Sequence, residues 1–408
     1  MELLDNPIRR YAWGSRTVIA ELQGREVPSP HPEAELWLGA HPGGPSWLLG
    51  ADGQRVSLLD ALASDPDGRL GCTGARRWDG RLPFLLKVLA AEEPLSLQAH
   101  PGRAEAVTGF ARESELGLTL DDPRRNYRDS NHKPELVCAL TEFHALSGFR
   151  DPAVTVRLLR RLNVAELAGH VELLVGQPDS HGLRALFSTW ITLPQVLLDR
   201  LVPSVQSACI ELVRSGESAE FDAEVRTVLE LSERYPGDAG VLAALLLNRV
   251  CLAPGEAMYQ GDGVLHAYLS GSCIEVMANS DNVLRGGLTP KHVDVPELLR
   301  VLNFSAGPAP LVPGFSDGVS TRYDTVADEF RLWRLDWSET NAGDVVPLPE
   351  DGPRILLCTS GTAKVSSGAG ASLSVRRGES LWLDAADVAV KVASCDGPAQ
   401  LFMATAGT

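Results

Sequence analysis

A mainly β protein carrying an α-helical insertion is what the 408-residue sequence predicts, and three observations carry that expectation. Short apolar runs broken by Gly and Pro fill the first 150 residues, the texture of strands joined by turns. From Asp151 to about Val250 the apolar residues recur at three- and four-residue spacing, as in Val154, Leu158, Leu159 and Leu162 and later Val225, Leu229 and Leu231, which is the period of a helix face. Strand texture then resumes at Val250-Cys251-Leu252 and again in a terminal block beginning near Thr321.

Taken in order, Ala34 to Gly39, Leu82 to Leu89 and Leu95 to His100 read as strands, with helix around Arg16 to Leu22 and Leu58 to Ser64. Asp151 suits a helix N-cap and Pro152 the first helical position, where the missing N–H would have no partner anyway. Helix breaks are expected near Gly176-Gln177-Pro178, at Pro203 and at Tyr235-Pro236-Gly237. The ends of this insertion must lie close together, because the interrupted sheet resumes after it. In the terminal block, strands are expected at Arg331 to Trp337, Arg354 to Cys358, Leu373 to Val375 and Ser380 to Leu383. Asp351-Gly352, Ser360-Gly361 and Arg377-Gly378 mark turns between them. The expected units are residues 1–150 with 250–320, an inserted helical unit at 151–249, and a β unit at 321–408.

Composition narrows the function classes. A hydrophobic fraction of 44% is that of an ordinary globular protein. No run of about 18 apolar residues predicts a membrane span, and Met1 to Asp5 lacks the basic flank and apolar core of a signal peptide. Seven scattered cysteines without a C-x-x-C argue against a disulfide framework or a zinc finger. A formal charge of −16 disfavours nucleic acid as a partner, while leaving room for a small anion if a few cations are focused into one cleft. A reduced, cytoplasmic, enzyme-sized protein is expected, a monomer without nucleic-acid or membrane partners. No P-loop and no H-E-x-x-H occurs, and Gly368-Ala369-Gly370 is followed by no helix pattern.

Four stretches concentrate polar chemistry. On a strand, Gln98 and His100 share a face roughly 7 Å apart, and on the inner face of a barrel they suit two ligands of a divalent ion. Alone, such a pair is more often a hydrogen-bonded couple than a metal site. Tyr127 to Leu136 crowds Arg128, Asp129, Asn131, His132, Lys133 and Glu135 at a strand mouth, or else forms a solvated loop. Gly261-Asp262-Gly263 is a tight turn that delivers His266 onto a strand. Glu275 to Lys291 sets Glu275 in a strand pattern and then Arg285 before Gly286-Gly287, glycines that permit close backbone approach and a backbone free to swing the guanidinium into a cleft. Arg285 and Lys291 on one loop suit a phosphate-bearing substrate.

Together these stretches resemble one family. Tyr11-Ala12-Trp13-Gly14, Ala34 to Pro42, Leu97-Gln98-Ala99-His100-Pro101, Asn131-His132-Lys133-Pro134-Glu135, His266-Ala267-Tyr268 and Asn282 to Lys291 occur in the order seen in the type I mannose-6-phosphate isomerases, also called phosphomannose isomerases. The match spans residues 11 to about 304, and the terminal block matches in texture only. The resemblance implies a metal-binding cupin, a jelly-roll β-sandwich with a helical inserted domain and a second cupin-like β domain at the end. It implies one zinc ion per chain, held by Gln98, His100, Glu135 and His266. It implies interconversion of mannose 6-phosphate and fructose 6-phosphate through a cis-enediol. Arg285 would then stabilise the enediolate or hold phosphate, Lys133 and Glu275 would be proton-transfer candidates, and His132 a candidate for ring opening. Trp13, Glu35, Lys87, Tyr268, Asp281 and Lys291 would line the substrate pocket. Another cupin isomerase or epimerase acting on a different sugar phosphate would share the metal ligands. A non-catalytic sugar-binding cupin is the other alternative, against which the intact set of Gln98, His100, Glu135, His266 and Arg285 argues.

Overall fold

The computed structural model describes residues 1–50, 53–350 and 352–407; Asp351 of the expected Asp351-Gly352 turn lies outside them. The spine of the fold is the 13-residue strand His266–Ala278. Its second half pairs with Phe84–Ala91 on one side and Glu135–Ala139 on the other. Its first half pairs instead with Gln98–Ala99 and Phe143–Phe149. Partners change at a register shift between Tyr268 and Ser270, followed by Gly271 at φ 104. A Cβ on Gly271 would stand 2.3 Å from the Glu142 carbonyl oxygen, so only glycine fits this bend. A strand that changes sheets through such an irregularity makes the corner of a sandwich. The sheets stay open, with Leu311–Val312 at one edge and Ile8–Arg9 at the other. The closed barrel expected around Gln98 and His100 is therefore the cleft of a two-sheet jelly roll.

Side chains alternate across each strand, and both faces are used. Leu36, Leu38, Leu86, Val88, Leu136, Ile274 and Val276 are buried on the back, in one core with Ile355, Leu357, Trp382, Phe402 and Ala404 of the terminal block. The front face carries Glu35, Trp37, Lys87, Glu135 and Glu275, whose registers place them on neighbouring rungs.

Helices run from Pro152–Leu162 to Gly240–Ala244. Asp151 caps the first by accepting from the amides of Ala153 and Val154, with Pro152 following it. Leu158, Leu162, Leu186, Trp190, Val205 and Val228 form one core with Leu97, Leu146, Phe149, Leu265 and Ala267, so the helices cover the outer face of the second sheet. The strands on either side of them, Phe143–Phe149 and Leu247–Leu252, pair antiparallel. One expectation fails here. Pro203 does not break a helix, because Gln195–Arg214 runs through it. Losing one hydrogen bond and adding a ring clash costs about 3 kcal/mol. The buried face made by Leu198, Leu201, Val202, Val205, Cys209 and Leu212 outweighs that, and Pro203 itself is exposed.

The terminal block is a second sandwich. Strands Arg331–Trp337, Arg354–Ser360 and Ser380–Leu383 lie in a nine-stranded sheet, facing a four-stranded one that holds Thr362–Ser366, Ser372–Arg376 and Lys391–Ser394. Chain order and sheet membership diverge: Glu2–Asp5, Trp47–Leu49 and Arg55–Ser57 extend the nine-stranded sheet from its Ser380–Leu383 edge. The helix Arg103–Glu115 has no counterpart in the sequence reading.

Candidate metal centre and substrate cavity

Three strands bring the first ligands together. His100 follows Gln98–Ala99, Glu135 opens Glu135–Ala139 and His266 opens the long strand. Their ligand atoms all lie within 4.8 Å of one another, and all three residues are buried. His100 Nε2 stands 3.3 Å from Glu135 Oε1, and His266 Nε2 stands 3.5 Å from Glu135 Oε2. The other ring nitrogens face backbone carbonyls, His100 Nδ1 at 2.8 Å from Asn282 O and His266 Nδ1 at 2.9 Å from Val264 O. A carbonyl only accepts, so each Nδ1 carries the proton and each Nε2 presents a lone pair to a carboxylate oxygen. Burial, and after it the Lys133 charge, push His100 down to about 4, so its ring is neutral at pH 7. Its Nε2 is buried without a hydrogen-bond partner. Acceptors that face one another in a dry pocket call for a cation between them, and carbonyl-oriented imidazoles are the usual outer support of a metal site. Two imidazoles and a carboxylate suit zinc. Gln98 lies opposite His266 in register. Its amide nitrogen donates to Ser96 Oγ at 3.3 Å, which leaves the carbonyl oxygen without a protein partner among the described residues.

Charge is packed tightly beside this centre. Lys133 Nζ lies 2.9 Å from Glu135 Oε1, and the Tyr268 hydroxyl donates to Glu135 Oε2 at 3.2 Å. Burial alone would raise the Glu135 carboxyl, but Lys133 and His100 override it and hold it well below the usual carboxylate range. Lys87 sits 2.9 Å from Glu275 Oε2 and 3.7 Å from Glu35 Oε1, and Trp37 Nε1 donates to Glu35 Oε2 at 2.7 Å. Burial, which opposes charging Lys87, is overcome by Glu275 and Glu35, and its pKa is raised. Burial raises the Glu275 carboxyl, against the pull of Lys87.

Above the centre opens a cavity of about 670 Å³. Of the residues singled out from sequence, Trp13, Glu35, Lys87, Gln98, Lys133, Glu135, His266, Tyr268, Glu275, Asp281, Arg285 and Lys291 line it. Three of the residues singled out from sequence have protein partners of their own. His132 does not line the cavity: His132 Nε2 lies 2.7 Å from Glu329 Oε1 and Nδ1 lies 3.7 Å from Asp262. Lys87 is committed to two carboxylates. Asp281 pairs with His41 at 3.5 Å.

Arg285 is not on a mobile tether. Gly286 N donates to Leu97 O at 2.7 Å, Leu97 N donates to Gly287 O at 3.1 Å, and Asp238 accepts from the amides of Leu288 and Thr289. Gly287 has φ 112 and a Cβ there would stand 2.8 Å from the Gly240 Cα, so the loop is pinned against the end of the helical segment. The Arg285 and Lys291 side chains make no hydrogen bond or ion pair among the described residues. Neither does that of Arg128, which lines the same cavity and which the sequence reading set at the strand mouth without a role. Burial, then repulsion from Arg128, lowers the pKa of Arg285, and burial, then repulsion from Arg285 and Arg128, lowers that of Lys291. Clustered cations without an anion are the mark of an anion site. Arg128 was visible as a basic residue before Asp129, but nothing local told which way it faces. Tyr235 also lines the cavity from the helical segment, its hydroxyl donating to Pro94 O at 3.0 Å.

Comparison with known proteins agrees with this geometry. Residues 1–152 match the family model described as phosphomannose isomerase type I, catalytic domain. The chain is 39% identical over 394 residues to the mannose-6-phosphate isomerase of Escherichia coli (strain K12), covering 96% of this chain and 97% of that one. It is 34% identical over 390 residues to the mannose-6-phosphate isomerase of Homo sapiens, covering 88% and 87%. Among solved structures, a mutant phosphomannose isomerase from Salmonella typhimurium matches with TM-score 0.89 and 36% identity over all of both chains. A zinc-bound mannose 6-phosphate isomerase matches with TM-score 0.88 and 35% identity, over 100% of this chain and 99% of the other.

Proposed function

The chain belongs to the type I phosphomannose isomerase family and is a metal-dependent mannose-6-phosphate isomerase, and from that premise we propose how its own residues divide the work. The observation that carries the proposal is a single cavity with two faces. One is the buried His100–Glu135–His266 donor set, and the other the unpartnered Arg128, Arg285 and Lys291. Gln98, His100, Glu135 and His266 would hold the zinc ion, which when bound supplies a Lewis-acid charge for oxygen at the reacting carbons.

Isomerisation removes the proton from C2 of the open-chain aldose, passes through a cis-enediol and returns a proton to C1, with the oxygen-bound proton moving from O2 to O1. Arg128 and Lys291 bind the phosphate dianion and fix the far end of the chain, so that binding energy orients the reacting end. Arg285 places a permanently charged, paired-donor group where enediolate charge develops. Glu275, raised by burial, and Lys133 are the groups that hold or move the carbon-bound proton. Lys87 keeps Glu275 oriented and opposes the upward push of burial on its carboxyl. His132, tied to Glu329 and Asp262, takes no part in ring opening. Trp13, Glu35, Tyr268 and Asp281 shape the pocket.

The residues so assigned come from 1–150 and 250–320, which supports treating that unit as the catalytic domain, with 151–249 as an inserted helical domain and 321–408 as a second cupin-like domain. A monomer in the cytoplasm, without nucleic-acid or membrane partners, is our reading. The free state of all seven cysteines and the −16 charge support it, and sedimentation of the purified chain tests its oligomeric part. Among the described residues no helix is long and apolar enough to cross a membrane. The test of function is a coupled assay with mannose 6-phosphate. Turnover should be lost on exhaustive chelation and restored by zinc, and turnover that survives complete metal removal would overturn the proposal.

A further inference from the structure

The strands that bracket the helical insertion carry a second donor set, away from the cavity. His144 and Cys251 stand directly opposite in register on Phe143–Phe149 and Leu247–Leu252, so their side chains share one face. Glu142, two residues before His144, points to the same side, and His144 Nε2 lies 2.8 Å from Glu142 Oε1. One ligand atom from each of Glu142, His144 and Cys251 falls within 4.8 Å of the others. His144 Nδ1 is buried without a hydrogen-bond partner, so Glu142 is the one side chain hydrogen-bonded to the ring among the described residues. We propose that Glu142, His144 and Cys251 form a second, zinc-class metal site that clips the two ends of the helical insertion together.

The chemistry favours a borderline-soft divalent ion. Thiolate, imidazole and carboxylate together suit zinc rather than calcium or magnesium, which take oxygen ligands. Tetrahedral coordination at ordinary zinc–ligand lengths puts the ligand atoms about 3.3–3.6 Å apart. Closing from within 4.8 Å asks for at most about 1.5 Å of movement, and Glu142, with 72% of its side chain exposed, is free to contribute to it. Burial and then Glu142 raise the Cys251 thiol, which argues against a reactive redox cysteine; a cation bound between thiol and carboxylate reverses that bias. A clip here closes a loop of roughly a hundred residues, and closure of long loops is where such a staple stabilises most. The fourth position stays open to solvent, since Glu142 and Cys251 are exposed.

The site is separable from the catalytic one because Gln98, His100, Glu135 and His266 contain no sulfur. Zinc-loaded enzyme titrated with cobalt(II) should take up a second equivalent and develop thiolate-to-metal charge-transfer absorption, and added zinc should raise its Tm. In Cys251→Ser the absorption and the zinc-dependent Tm gain should vanish, with kcat unchanged. In Glu142→Gln, at an exposed position, affinity for the second equivalent should drop by about tenfold or more. A wild-type protein that binds one equivalent without thiolate absorption overturns the proposal. So does absorption that survives Cys251→Ser, which would place the metal on another cysteine. Should Cys251→Ser fail to fold, an undiminished second affinity in Glu142→Gln refutes the site by itself.

Discussion

Two sandwiches built on the same plan fill their interiors in opposite ways. The terminal one is packed with Leu356, Leu381, Leu401, Met403, Val365, Val375 and Val392, buried apolar side chains of one core. Its buried Arg354 spends its guanidinium on the carbonyls of Pro349, Asp384 and Asp387. The first one lines the front of its sheet with Glu35, Lys87, Glu135 and Glu275, partners arranged across adjacent strands around a cavity. Buried charges stay only where each is matched, and here the matching is left incomplete on purpose-built atoms: the His100 Nε2 lone pair and the unpartnered cations at the rim. The architecture is common to both; the chemistry lies in which inner-face positions are charged.

The comparison breaks most sharply at the metal ligands. Replacing an outer partner of a metal-bound histidine typically costs 10–100-fold, so removing the ligand itself in His100→Ala or His266→Ala should lower kcat by more than about 100-fold. Bound zinc, measured by elemental analysis, should fall with it. The matched change in the second sandwich, Leu356→Ala, should cost about 2–5 kcal/mol of stability while the folded fraction keeps its kcat. A full metal complement in an inactive His266→Ala would show that this histidine serves catalysis other than as a ligand.

At the rim, Arg285→Ala should lower kcat by roughly 100-fold with little change in KM, the size of one charge-stabilising donor. Arg128 and Lys291 remain to hold phosphate; Lys87, bound to Glu275 and Glu35, does not. Arg128→Ala should do the reverse, raising KM by about tenfold while kcat survives. A shared pattern in both variants would mean that Arg285 binds phosphate instead of the enediolate.

Within the charged layer, Lys87→Met leaves Glu275 and Glu35 buried against too few cations. It should cost about 3–5 kcal/mol, and Lys87→Met with Glu275→Leu should regain much of that loss without regaining activity. Urea unfolding of the three proteins measures this. A single-variant cost below about 1 kcal/mol would mean that the pair is solvated rather than dry.

Much of this was legible in the sequence because the candidate ligands sit in short words. Gln98 with His100, Glu135, and His266 each follow a recognisable strand or turn, and the switch of period at Asp151 marks the insertion with its cap. What escaped depends on distance. Glu2–Asp5 pairs with Ser380–Leu383, a register that no local pattern encodes. Arg103–Glu115 buries Ala106, Gly109 and Glu113 in place of a stripe of large apolar residues, so its period is faint. Pro203 was read by its propensity alone, and the buried face of its helix outweighed it. His132 was grouped with the site by the resemblance of Asn131-His132-Lys133-Pro134-Glu135, yet its ring turns to Glu329, nearly two hundred residues on.

That last contact yields the smallest effect and tests how the two sandwiches are joined. Burial pulls the His132 pKa down, but Asp262 and Glu329 prevail and hold it at about 9, above the ordinary 6.5. A group raised on folding binds its proton more tightly in the native state. Its contribution is therefore complete below about pH 6.5 and is lost as the pH climbs toward 9. Since Glu329 belongs to the segment leading into the second sandwich and His132 to the loop that bears Lys133, the lost increment is that of the junction. Wild-type Tm should fall between pH 6.5 and 9 by more than that of His132→Gln, whose profile should be flatter there. Activity at neutral pH should change by less than about tenfold, because His132 does not line the cavity. Parallel Tm profiles for the two proteins across that window would show that the His132–Glu329 pair does not hold the junction.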